Sequence, residues 1–131
     1  MGISIKDFNV GDNVYTVLLN KNRVNDSPSS LREAKVSKVG RSYVYINTNF
    51  SRNLRFKPPT DSHYNYLIED VDWGTPRHLF KNQEDAKKFV EADELKTQLS
   101  RVLNWTIIDK FTLDQLKRIE VIIKEVEGND N

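Results

Sequence analysis

Cysteine is absent from all 131 residues. That excludes disulfides, thiolate metal sites and cysteine nucleophiles, and it suits a reducing compartment. Histidine occurs only twice, at His63 and His78. Neither stands in a metal-binding spacing such as HExxH, so both are read as ordinary surface residues. No apolar run approaches the roughly 18 residues that a membrane span needs. Residues 1–7 lack the apolar core of a signal peptide, and Lys6 stands where a myristoylation signal wants Ser or Thr. A soluble, cytoplasmic protein without a membrane partner is the expectation. No glycine loop ending in Lys-Ser/Thr is present, and no serine has nucleophile-elbow spacing. With no acid–base pair, nucleophile or cofactor loop, the chain is read as a non-enzyme without cofactor, metal or catalytic residues.

What is present is charge, unevenly spread. The net charge is +1. Residues 1–64 hold 10 Lys/Arg against 5 Asp/Glu, and residues 65–131 hold 10 against 14, which makes the halves +5 and −4. A basic half and an acidic half can face different partners.

The first half reads as β-rich. Residues 13–20 combine Val14, Tyr15, Val17, Leu18 and Leu19, a strand-like composition. Residues 20–30 are polar and turn-rich, a long exposed loop. Ala34 and Val36 then alternate with Glu33, Lys35 and Ser37, as in a half-buried strand. Gly40-Arg41 makes a hairpin turn, with Gly40 free to supply a positive φ. In the strand that follows, Tyr43 and Tyr45 share one face, and Val44 and Ile46 the other. Residues 50–57 form another strand in which Arg55 and Lys57 lie opposite Leu54 and Phe56, and Pro58-Pro59 ends it. Residues 64–68 are a further short strand.

Composition shifts over residues 69–80, with a turn at Trp73-Gly74-Thr75-Pro76. Two helices follow. Asn82 is the N-cap of the first, with Glu84 and Asp85 at its positive end. Its apolar residues are read as one stripe, from Ala86, Phe89 and Val90 through Leu95, Leu99, Val102 and Leu103. Thr112-Leu113-Asp114-Gln115 is a capping box opening the second helix. Leu113, Leu116, Ile119, Ile123 and Val126 make its stripe, Ile122 lies beside it, and Gly128 stops it. Trp105, Ile107, Ile108 and Phe111 lie between the helices. Burial of each stripe against the other helix and the strands is the expected packing.

Val10-Gly11-Asp12-x-Val14-Tyr15, followed by Ala34-x-Val36-x-Lys38-Val39-Gly40-Arg41-x-Tyr43-Val44, resembles the opening strands of SH3-like barrels, KOW-type modules among them. The whole layout is similar to small phage and mobile-element proteins of Firmicutes. The fold class expected is therefore α+β: a small SH3-like β-barrel at residues 1–72, then a two-helix hairpin at 73–131 packed on it. The resemblance also implies a bacterial host, and a protein that engages a host protein or protein–nucleic-acid complex, for example as an anti-CRISPR-like defence inhibitor.

Two surfaces are candidates. The basic rim, Lys21, Arg23, Lys38, Arg41, Arg52, Arg55 and Lys57, is interleaved with Tyr43 and Tyr45 and further aromatics. Cations neutralise phosphates and aromatic rings stack bases, so this mixture suits RNA or single-stranded DNA. The bland alternative is that the aromatics fill the barrel and the cations keep its rim soluble. On the first helix, Glu84, Asp85, Glu91, Asp93 and Glu94 would suit a basic protein partner. The near-neutral total charge tilts the sequence reading toward the host-protein partner. Self-association through the helices is a third option, favoured by Ile or Leu exposed beyond the stripes. Glu69-Asp70-x-Asp72 gathers carboxylates that could hold Mg²⁺, but is read as a solvated acidic turn.

Overall fold

The computed structural model describes residues 2–19, 30–48, 53–60, 64–103 and 105–129. The chain forms two compact units, Met1–Glu94 and Leu95–Asn131.

The first unit is built on six short strands: β1 (Asn13–Leu18), β2 (Ser30–Val39), β3 (Val44–Asn47), β4 (Leu54–Lys57), β5 (Leu67–Glu69) and β6 (His78–Phe80). Each pairs antiparallel with the next, and β6 returns to β1 through Tyr15↔Phe80, Thr16↔Leu79 and Val17↔His78, which closes the barrel. Alternation decides what lies inside. Val14, Val36, Val44, Ile46, Phe56, Leu67 and Leu79 form the interior with Phe8, which follows a 3-10 turn at Ile5–Asp7. These side chains are almost wholly removed from water, each worth about 1.5–3 kcal/mol of burial.

The sequence pattern ended the barrel at residue 72, but its closing strand lies beyond that point. β6 is buried at all three positions because both of its sides are covered. Leu79 joins the barrel interior. Phe80 belongs to a second cluster with Val17, Leu19 and Ala86, against which Tyr15, Leu31, Tyr66, Phe89 and Val90 pack. That cluster seats the start of α1 (Gln83–Val102) on the outside of the barrel. Tyr66, His78, Phe80 and Phe89 meet there with ring centroids 4.7–5.6 Å apart. His78 is thus a buried core residue, not a surface one; His63 lies outside the described residues.

Turn chemistry also differs in one place. Gly11 takes the positive φ, at 91°, and its amide donates to the Val36 carbonyl at 2.9 Å. Gly40 does not take one, and closes its turn by donating to the Tyr43 carbonyl at 2.9 Å. The register of β2 against β3 slips between Val36 and Lys38. Ser37, the extra residue, donates its hydroxyl to the Tyr45 carbonyl at 3.2 Å. Such a bulge sharpens the strand's bend.

Both helix starts follow the sequence signals. The Asp85 amide donates to Asn82 Oδ1 at 2.8 Å. Ahead of α3 (Leu113–Asn129), the Thr112 amide donates to Gln115 Oε1 at 2.9 Å and the Gln115 amide to Thr112 Oγ1 at 3.2 Å, which completes the capping box. A short α2 (Trp105–Ile108) lies between the two helices. Gly128 is inside the last turn of α3 and does not stop it.

The apolar stripes behave differently from the expectation. Only the first part of α1 is covered. At 3.6 residues per turn, Ala86, Phe89 and Val90 lie about 150° round the helix axis from Leu95, Leu99, Val102 and Leu103. The seven residues are therefore two stripes rather than one, and the second is exposed. The α3 stripe is exposed as well, apart from a half-buried Ile119. No helix among the described residues is long and apolar enough to cross a membrane.

Candidate functional site

The alternation that buries Val44, Ile46 and Phe56 sends Tyr43, Tyr45, Arg55 and Lys57 to the outside of the barrel. Pairing of Tyr45 with Lys38 and with Arg55 draws residues from three strands onto one face. Tyr43 and Tyr45 sit edge to face, with centroids 6.2 Å apart. Lys38 Nζ lies 5.3 Å from the Tyr45 centroid, and the Arg55 guanidinium 4.9 Å from that of Tyr43. Each tyrosine is half-buried and carries a cation within reach of its π face. Arg41 is exposed at the adjoining hairpin turn.

Asp70 organises this face. Its Oδ2 lies 2.9 Å from Arg55 Nη2, and its Oδ1 lies 3.3 Å from Lys57 Nζ. Its amide also donates to the Arg55 carbonyl at 3.0 Å. Lys57, donating to the carboxylate, holds Asp70 below the usual carboxylate range; the charges of Lys57 and Arg55 and a hydrogen bond from Tyr43 act the same way, while desolvation opposes them. Asp70 is therefore ionised at neutral pH, tying two cations and one tyrosine together.

The acidic group at 69–72 is split by the same alternation. Glu69 is buried, and its Oε1 accepts from the Arg77 amide at 3.0 Å and pairs with Arg77 Nη1 at 3.4 Å. Asp70 points outward to Arg55 and Lys57, and Asp72 is exposed. The carboxylates do not converge on one point.

Of the basic-rim residues, Lys38, Tyr43, Tyr45, Arg55 and Lys57 come together and Arg41 is exposed at the adjoining turn, while Lys21, Arg23 and Arg52 lie outside the described residues. The sequence reading missed Asp70 as a member. Its place follows from the pairing of β4 with β5, which brings the residue after Glu69 level with Arg55 and within reach of Lys57.

By helical spacing Glu84, Glu91 and Glu94 fall on one side of α1, with Lys87 and Lys88 among them. Asp85 is engaged at the helix start, accepting from Asn82 Nδ2 at 2.8 Å. Glu84 pairs with Lys88 at 3.9 Å, one turn on. By helical spacing, Glu91 and Glu94 flank Lys87, and Asp93 lies on another side.

The fold and this face together define an α+β protein: a closed six-stranded antiparallel barrel with a basic, tyrosine-bearing outer surface, followed by helices. The chain belongs to the phage ProQ C-terminal-like domain family, whose model matches residues 1–126. No curated protein and no solved structure matches it.

Proposed function

We propose that this chain is a non-enzymatic, phage-type binding module that holds RNA or single-stranded DNA on the outer face of β2, β3 and β4. The observation that carries this reading is the convergence of Lys38, Arg55 and Lys57 on the Tyr43–Tyr45 face, with Arg41 exposed at the adjoining turn and Asp70, among the described residues, the one carboxylate tied into it. Cations over aromatic rings on a rigid sheet supply both needs of a flexible strand: phosphate neutralisation and a surface for bases. A sheet also presents these groups with less conformational freedom than a loop would. The short strands and the bulge in β2 support reading the barrel as SH3-like, and action in the bacterial cytoplasm is compatible with there being no helix among the described residues long and apolar enough to span a membrane.

The host-protein reading, including an anti-CRISPR-like inhibitor, draws on the acidic residues of α1. It receives less support, because Lys87 and Lys88 interrupt that surface and Asp85 serves the cap.

Fluorescence anisotropy with labelled RNA and DNA oligonucleotides tests the proposal. Three or four phosphate contacts give a slope of about −2 to −3 in log affinity against log salt. Lys38→Ala and Arg41→Ala should each flatten that slope by roughly one phosphate's share, about 0.7. Absence of binding at low salt, or binding indifferent to both substitutions, overturns the reading.

A further inference from the structure

We propose that α3 is a dimerisation helix that pairs antiparallel with α3 of a second copy of this chain. Leu116, Ile119, Ile123 and Val126 are spaced three, four and three residues apart. This is the a/d spacing of a coiled-coil seam over two heptads. Around them Leu113, Leu116, Ile122, Ile123 and Val126 are 40–69% exposed. Together these five residues leave on the order of 500 Å² of mostly apolar surface open on α3. An apolar patch of that size is at the upper end of what a monomer leaves open and commonly marks an interaction site.

Charge selects the occupant and its direction. Lys117, Glu120, Lys124 and Glu127 line one edge of the seam with alternating sign. In a parallel, in-register pair the two-fold axis would put this edge of the two copies on opposite sides of the seam, where its charges would find no partner on the matching edge. Antiparallel pairing centred near Ile122 sets Lys117 level with the second copy's Glu127, and Glu120 level with its Lys124. Every level then pairs opposite signs. Glu120 and Lys124 also pair within the helix, at 3.5 Å, which holds both side chains on that edge. An edge that complements itself under a two-fold rotation is what an isologous interface requires. This inference stands apart from whatever the barrel face binds.

Sedimentation velocity on the full chain, from about 1 to 200 µM, tests it, a contact of about 1,000 Å² in total being expected to associate within that range. The wild-type chain should dimerise. Ile123→Asp, which places a charge in the seam, should weaken the dimer about a hundredfold or more. Val121→Asp, on the opposite side of α3, should not, and circular dichroism should show both variants folded. Lys117→Glu and Glu127→Lys should each weaken association about fivefold, and the double variant should restore it. A wild-type monomer throughout, or equal behaviour of the Ile123 and Val121 variants, overturns the dimer. A double variant no stronger than the singles overturns the antiparallel arrangement.

Discussion

Replacing Asp70 with Asn removes, among the described residues, the one negative charge tied into the basic face and leaves its shape nearly unchanged. Among the described residues, Lys38, Arg41, Arg55 and Lys57 against one carboxylate give the face a charge of +3 at neutral pH, and Asp70→Asn raises it to +4. The carboxylate lies 2.9 Å from Arg55 Nη2 and 3.3 Å from Lys57 Nζ, so a phosphate approaching those cations stands about 7 Å from it. One unit charge at that distance in a water-like medium changes binding about threefold per phosphate. Two phosphates near the site make about tenfold. The variant should therefore bind oligonucleotides roughly three to ten times more tightly at low salt. The gain should fade as salt shortens the screening length below that distance. Stability should move the other way. Because the folded-state pKa of Asp70 is depressed, its contribution is present above the unfolded-state pKa and lost as pH falls through the folded one. Urea melts should show Asp70→Asn less stable than wild type at pH 7, with the gap closing in acid. Anisotropy titrations on the folded variant decide the binding half. Unchanged or weaker affinity would refute the claim that phosphates meet Arg55 and Lys57.

Further substitutions test the fold that presents this face. Gly11→Ala should destabilise by about 1–2 kcal/mol in urea melts, because φ there is 91°. Gly40→Ala should cost less, since an added Cβ would sit at ordinary contact distance, 3.5 Å from the Tyr43 carbonyl oxygen. Phe56→Ala, at a fully buried position in the barrel, should cost about 3–5 kcal/mol by the same measurement. Asn82→Ala removes the acceptor for the Asp85 amide and should lower stability by about 1 kcal/mol, with fraying of the start of α1 visible by hydrogen exchange.

How far the sequence could be read depended on whether one side of each element is wet. At 43–46 and 54–57 one face is buried and the other is not, so the period of two is visible, and the outward Tyr43, Tyr45, Arg55 and Lys57 follow from it. Asn82 and the Thr112/Gln115 pair are local signals that need no tertiary context. β6 was not legible. His78, Leu79 and Phe80 are covered on both sides, so no alternation survives in three residues. Asp70 and Glu69 look alike in the sequence; only the pairing of β5 with β4 sends one to Arg77 and the other to Arg55 and Lys57. The change of phase within α1 is present in the spacing: Ala86, Phe89 and Val90 keep one phase, and Leu95, Leu99, Val102 and Leu103 another.

Closure of the barrel by β6 fixes where this chain can be cut. Stopping at residue 72, where the strand-like composition ends, would remove the neighbour of both β1 and β5. It would bare two rows of backbone donors and acceptors and strip the cover from Val17 and Leu67. Such a fragment carries the complete basic face and yet should precipitate by edge-to-edge pairing. The shortest soluble piece has to run past Phe89 and Val90, so that the last strand keeps the helix that shields its outer side.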